Sequence, residues 1–162
     1  MSFSTDVKAL LQHTAKGIGR VGTNADYTPG GNFNIFGITG GPILISAMWG
    51  HVRVACTGAA LVPLITLNPT IGAASALCTV AVGAAHALGV VLTWSGLLAG
   101  VLAPTAGLGH GQSGVVESFD GGPIIVMPGI LLITNATADA TAEIDWFMRY
   151  EPAIQGADVA VL

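Results

Sequence analysis

Ala142-Glu143-Ile144-Asp145-Trp146-Phe147-Met148-Arg149-Tyr150-Glu151 is the stretch that decides the fold class of this chain. Successive side chains of a strand point to opposite faces. Ile144, Trp146, Met148 and Tyr150 therefore share one face, and Glu143, Asp145, Phe147 and Arg149 share the other. One apolar face and one mainly charged face is the pattern of an antiparallel strand half-buried on a core. Trp146 and Tyr150 are expected in the core near its edge, where the indole N–H and the phenol O–H can reach partners. Asp145 and Arg149 are too far apart to pair along the same strand.

Upstream, Met127-Pro128-Gly129 turns into Ile130-Leu131-Leu132-Ile133-Thr134, and a polar turn, Asn135 to Thr141, leads back into the quoted stretch. That order predicts a hairpin of Ile130–Thr134 with Ala142–Tyr150. Downstream, Pro152 ends the strand before a short last one, Asp158 to Leu162. Gly-Gly-Pro followed by branched aliphatics occurs at Gly40 and again at Gly121, a hint of two related halves but too short to establish a repeat. After the first copy, Ile43 to Val54 reads as a strand with both faces covered. Ile43, Ile45, Ala47 and Trp49 are predicted on one side and Leu44, Ser46 and Met48 on the other, with His51 and Arg53 emerging toward water. Phe33–Ile38, Leu61–Leu67, Ala76–Val82, Gly89–Trp94, Leu97–Leu102 and Ile124–Val126 are further strands, punctuated by turns at the spacing of sandwiches and barrels.

At the N-terminus, Ser4 or Thr5 can cap a short helix from Asp6 to Lys16, with its acid and base placed to suit the dipole and Gly17 as its stop. Val7, Leu10, Leu11 and Thr14 share one face of it. Gly17 to Gly31, rich in Gly, Asn and Pro, reads as an extended arm or loop. The expected fold is all-β: an antiparallel β-sandwich or barrel, jelly-roll-like, with a short N-terminal helix and arm over residues 1–31 and a single β domain over 32–162.

The chain has 162 residues and 16.3 kDa, enough for one domain with its own core. Charged residues make up only 9% against about 25% in ordinary soluble domains, while 52% hydrophobic content excludes disorder. A net charge of −4 and five scattered basic residues, Lys8, Lys16, Arg20, Arg53 and Arg149, leave no positive field for a phosphate backbone, so no direct nucleic-acid contact is expected. Cys56 and Cys78 form no CxxC pair and read as small buried thiols. Met1 to Lys16 lacks the pattern of a signal peptide, so the product is expected to stay in the cytoplasm until it is assembled.

Val54 to Val116 contains no Asp, Glu, Lys or Arg, which makes a membrane span the main rival. Its best window, Ala81 to Ala103, includes the GxxxG spacing of Gly96 and Gly100. No Lys or Arg cluster flanks that window, and Pro63 and Pro69 interrupt the stretch before it. Short strands between turns fit better than a lipid-facing helix.

No constellation of reactive residues rises above chance. GxGxxG occurs at Gly17, Gly19 and Gly22 and at Gly109, Gly111 and Gly114, but neither copy stands between a strand and a helix, as a pyrophosphate site requires. His13, His51, His86 and His110 lack metal-ligand spacing. Ser113 lacks the GxSxG elbow of a nucleophile. Glu143 and Asp145 share one strand face with no Lys or His near in sequence, and a solvated face accounts for them. Asn135-Ala136-Thr137 reads as a turn. No catalytic, cofactor-binding or metal-ligating residue is assigned, and no cofactor.

Phe36-Gly37-Ile38-Thr39-Gly40-Gly41-Pro42-Ile43-Leu44-Ile45 resembles a segment of small structural proteins of tailed-phage virions, in which a strand ending in a TGG turn leads to an aliphatic strand. The resemblance continues through Met127–Thr134, Ala142–Pro152 and Gly156-Ala157-Asp158-Val159, and covers under a third of the chain. It implies a decoration or cement protein of the head: a homotrimer or dimer on the capsid surface that holds neighbouring major capsid subunits together. The apolar middle of the chain suits a subunit whose faces become covered by other copies. The N-terminal helix and arm are expected to reach a neighbour. Three other functions compete: a tail or fibre-adaptor protein, a holin-like membrane protein inserted through Ala81–Ala103, and a β-sandwich enzyme or carbohydrate-binding module using Trp49, Trp94 and Trp146.

Overall fold

The computed structural model describes residues 16–23, 31–56, 63–79, 86–94, 100–101, 103–104, 123–135 and 141–162. They form β1 (Lys16–Arg20), β2 (Asn32–Thr39), β3 (Ile43–Val54), β4 (Pro63–Pro69), β5 (Ser75–Ala76), β6 (Cys78–Thr79), β7 (Val91–Trp94), β8 (Gly100–Val101), β9 (Ala103–Pro104), β10 (Ile124–Val126), β11 (Gly129–Asn135), β12 (Glu143–Pro152) and β13 (Asp158–Val161). Two antiparallel sheets pack as a sandwich. The first runs β1-β12-β3-β7-β9, the second β13-β2-β11-β4-β5, and β6 and β8 form a small parallel pair.

β3 and β12 are the longest strands and pair along their whole length, from Glu143 opposite Val54 to Pro152 opposite Ile43. The other edge of β3 is shared: β10 takes Ile43–Ile45 and β7 takes Met48–His51. The inner face of this sheet carries Ile144, Trp146, Met148 and Tyr150 from β12, together with Ile43, Ile45, Met48 and Val52 from β3. Phe36, Ile65, Leu67, Leu131 and Ile133 of the second sheet complete the same core. The alternation read from β12 is the observed one, and its outer residues Glu143, Asp145, Phe147 and Arg149 all have solvent access.

β3 departs from simple alternation. Its buried positions are Ile43, Ile45 and Ala47, then Met48, Gly50 and Val52, because the register with β12 skips Ser46. A β-bulge adds one residue and inverts the phase of everything after it. Met48 therefore enters the core, and Trp49, expected beside Ile43 and Ile45, lies on the outer face. There it stacks on Phe147 with ring centroids 5.5 Å apart. Two more register shifts occur, at Arg53 of β3 and at Ile35 of β2, and the latter turns an additional isoleucine inward.

Two further expectations are corrected. The hairpin of Ile130–Thr134 with Ala142–Tyr150 does not form: β11 pairs with β2 and β4 in the second sheet, while β12 pairs with β1 and β3 in the first. Both edges of β11 are taken by β2 and β4 and both edges of β12 by β1 and β3, which leaves neither an edge for the other. Of the arm or loop expected over Gly17–Gly31, the first residues, as far as Arg20, are strand. Lys16–Arg20 pairs with Trp146–Tyr150, so Gly17 continues a strand and Gly19 makes room for a neighbour. A Cβ on Gly19 would lie 2.7 Å from the Phe147 ring, which covers it. The helix expected over residues 6–16 falls outside the described residues except for Lys16, which is strand. Finally, no continuous helix crosses 81–103, because Ala87–Val90 is a turn and 91–94 is β7. Among the described residues no helix is long and apolar enough to cross a membrane.

The two tryptophan environments, Trp146 in the core and Trp49 on the outer face, give a direct test. Trp146→Ala is expected to lower unfolding free energy by about 3–5 kcal/mol, the range for a buried aromatic. Trp49→Ala should cost about 0.5–1.5 kcal/mol from its ring pair. Chemical denaturation followed by circular dichroism measures both. Equal losses would contradict the phase inversion at Ser46.

Candidate interaction surfaces

Three places on the sandwich gather side chains that do more than fill the core. The first is the side where β1, at the edge of one sheet, runs beside β13, at the edge of the other. Lys16, Ile18 and Arg20 stand opposite Tyr150, Met148 and Trp146, so their side chains lean toward the interior side of the sheet. Ile18 packs on the core, and the two cations reach across the gap. Lys16 Nζ lies 3.0 Å from Asp158 Oδ1, and Arg20 Nε donates to the Leu162 carbonyl at 2.9 Å. Tyr150 donates its hydroxyl to the same Asp158 oxygen at 2.8 Å. Polar side chains thus close this side where no backbone ladder does.

That arrangement shifts two protonation equilibria. Tyr150 is pushed up to about 12, first by burial and then by its hydrogen bond to Asp158 and the charge there. Asp158 is held below the ordinary carboxylate range by the Tyr150 hydroxyl and by Lys16. Exposed ion pairs of this kind contribute little individually, so the shared oxygen matters as a positioning contact more than as a source of stability.

The second place is the opposite end of the first sheet. Arg53 contacts Glu143 at 2.7 Å and Asp145 at 3.3 Å, and donates from Nη2 to the Gly22 carbonyl at 2.7 Å. The Gly22 N–H donates to Asp145 at 3.0 Å, so one carboxylate and one guanidinium clamp the chain leaving β1. A Cβ on Gly22 would run into the Ile144 carbonyl, which is why glycine stands there. The sequence placed Glu143 and Asp145 on one face correctly but missed their partner, because Arg53 arrives from a strand far away in the chain. In the first GxGxxG copy Gly17 and Gly19 lie in β1, Gly19 beneath the Phe147 ring, and Gly22 follows the strand against the Ile144 backbone. Its second copy, with His13, His110 and Ser113, lies outside the described residues. His51 sits half-buried on the outer face of β3, in register with Asp145, and His86 is buried. Asn135 ends β11.

Cys56 and Cys78 are buried thiols not joined in a disulfide, in line with their reading as small buried thiols. Cys78 Sγ accepts the Ile65 N–H at 3.2 Å, and burial raises its pKa. Among the described residues no group of three or more His, Cys, Asp or Glu side chains converges as a metal site would require.

The third place is the other end of the sandwich. Four connections meet there: 40–42 between β2 and β3, 70–74 between β4 and β5, 127–128 between β10 and β11, and 153–157 between β12 and β13. They contain no Asp, Glu, Lys or Arg. Backbone hydrogen bonds join them in pairs, Thr70 N–H to the Pro128 carbonyl at 2.9 Å and Ala153 N–H to the Pro42 carbonyl at 3.1 Å. Gly40 and Gly156 take left-handed conformations with φ of 73° and 88°, and a Cβ on Gly40 would strike the Gly156 carbonyl. The turns are therefore tight and mutually braced. Ile71 (91% exposed), Met127 (55%) and Ile154 (51%) project from them, and Ile125 (70%) lies beside them on β10. The apolar run PTIGAAS was visible in the sequence, but only the topology brings the other three connections next to it.

Comparison with protein-family models, with curated proteins and with solved structures found no match to this chain.

Two measurements test the polar contacts. Because the folded state holds the Tyr150 proton more tightly than the unfolded chain, its contribution to stability is complete below about pH 10 and is lost as pH rises through about 12. Asp158 acts in the other direction: its contribution is present above the ordinary carboxylate range and lost as pH falls through its depressed value. Absorbance titration of a Tyr27→Phe variant should show ionisation near pH 12, moving down toward 10 when Asp158→Asn is added; an unchanged midpoint would remove Asp158 from the account. Separately, Asp145→Ala should cost about 1–3 kcal/mol and accelerate amide exchange at Gly22, the donor it leaves without its acceptor.

Proposed function

We propose that this chain is a non-enzymatic structural protein of a bacteriophage virion, of the decoration or cement type, which stabilises contacts between major capsid subunits at the capsid surface. The observation that carries the reading is the rigid, charge-free end of the sandwich with its exposed Ile71, Met127 and Ile154. Contiguous apolar surface of this kind on a braced scaffold is what an assembly contact uses, since burying it releases water at little cost in ordering.

The strand order supports the finer reading of the fold as a jelly roll. β1-β12-β3-β7 lies opposite β2-β11-β4-β5, and the connections from β2 to β3, β3 to β4, β11 to β12 and β12 to β13 all pass between the sheets. Jelly rolls are built from two such four-stranded sheets and recur in viral capsid proteins, although they also serve lectins and enzymes, so the fold alone does not assign the role. The short helix and arm expected at the N-terminus belong to the same reading as the attachment to a neighbour. The partners are other copies of the chain, as a dimer or trimer, and the major capsid protein. Direct nucleic-acid contact is not part of it, given the net charge of −4.

Mass spectrometry of purified particles, with copy number taken relative to the shell protein, tests the assignment. Hundreds of copies per particle are expected of a cement protein. A handful would move the protein to the tail or a fibre adaptor, and absence from the particle would overturn the virion role.

A further inference from the structure

We infer that β1 is a releasable strap: it opens from β12 as a unit while the rest of the sandwich stays folded, and ionic strength governs how often it does so. None of its five residues is buried. β13, the edge strand across the gap, puts Val159 into the core, whereas β1 offers the core only the half-buried Ile18. Opening therefore gives up little apolar contact, and it returns to Gly17 and Gly19 the backbone freedom of which glycine loses most on folding. Elements with few buried apolar contacts open locally at a free energy well below that of global unfolding.

The sandwich keeps its frame when β1 leaves. β12 retains its full-length ladder with β3. The Tyr150 hydroxyl stays on Asp158 at 2.8 Å, a bond in which β1 takes no part, so the gap between the two sheets remains bridged. The groups that fasten the strap also belong to that frame: Asp158 pairs with Thr39 of β2, and the Leu162 N–H donates to the Ile35 carbonyl at 3.2 Å.

The fastenings themselves are charged. Lys16 Nζ lies 3.0 Å from Asp158 Oδ1, with the two side chains 48% and 60% exposed, and 5.9 Å from the centroid of the Tyr150 ring. At the far end of the strand Arg20 donates to the Leu162 carbonyl at 2.9 Å, and its guanidinium carbon stands 5.3 Å from the centroid of the Phe33 ring. Just beyond, Gly22 is held by Asp145 and Arg53. Fastenings at both ends oppose fraying from either one, so the short ladder between them is released together. Exposed charges are screened by salt, which shortens the Debye length to about 3 Å at 1 M, and a strap held by them loosens accordingly. Release turns the backbone edge of β12 from Trp146 to Tyr150 toward water, the condition that edge protection prevents.

Release of β1 is a property of the single chain, whether or not that chain belongs to a virion. Amide hydrogen exchange followed by NMR on the full chain tests it. The amides bonded between β1 and β12 should share one opening free energy and a denaturant slope below the global one, which the β2–β11 ladder reports. Ile133→Val weakens the core equally in the closed and strap-open states, so it should speed β2–β11 amides about two- to tenfold and leave the β1–β12 amides unchanged. Lys16→Met should speed the β1–β12 amides about 1.5- to fivefold at low salt, and that gain should shrink toward none in about 1 M NaCl, where the pair is already screened. Acceleration of the β1–β12 amides by Ile133→Val would mean that the strap opens only with the whole sandwich, and overturns the inference. A gradient of exchange from Lys16 to Arg20 overturns it as well, because the end then frays residue by residue. So does a Lys16→Met effect that salt leaves unchanged.

Discussion

The full-length pairing of β3 with β12 is the constraint on which the rest of the molecule depends. It brings Ile43, Ile45, Met48 and Val52 beside Ile144, Trp146, Met148 and Tyr150, and so lays down most of the inner face of one sheet. The other strands of that sheet build outward from these two: β1 on the free edge of β12, β7 and β10 in succession on the free edge of β3, and β9 on β7. The bulge at Ser46 is part of the same constraint, because without it the second half of β3 would turn Trp49 inward and Met48 out.

From that pair the two ends of the sandwich acquire opposite character. At one end β3 finishes and β12 begins, and Arg53 meets Glu143 and Asp145 across the strands and holds Gly22. At the other end β3 begins and β12 finishes, and the connections that gather there are uncharged and mostly glycine, proline and aliphatic. The physical division is between an end tied together by charge-assisted hydrogen bonds, which water and salt weaken, and an end whose free energy is gained only when something covers it. The second kind of end is held in shape here before anything covers it. The left-handed glycines and paired turns supply that rigidity.

The side closed by Lys16, Arg20, Tyr150 and Asp158 shows how edge strands are managed here. β1 and β13 each have one backbone partner strand, and the side chains across the gap shield edges that would otherwise invite pairing with another chain. Gly17 and Gly19 add no bulk to the outer face, and the Phe147 ring lies over Gly19 and against Trp49. An aromatic ring that covers a strand glycine restores the packing the glycine lacks.

The sequence by itself determined the class of the fold, the positions of most strands and the two faces of β12, because a period of two is a local property of the backbone and shows wherever one face is wet. It also marked Cys56 and Cys78 as buried and set Glu143 and Asp145 on one face. Pairing was beyond its reach. The polar turn after β11 looked like a hairpin, since residues near in sequence usually pair, yet both edges of β11 and both edges of β12 are taken by strands from distant parts of the chain. The phase change at Ser46 left no local mark, because Ala47, Met48 and Trp49 are all apolar and either register looks acceptable. The meeting of Arg53 with Asp145 and Gly22, and the gathering of four charge-free turns at one end, join residues far apart along the chain. Only the tertiary structure decided those, because such contacts come into being when the two sheets close on a common core.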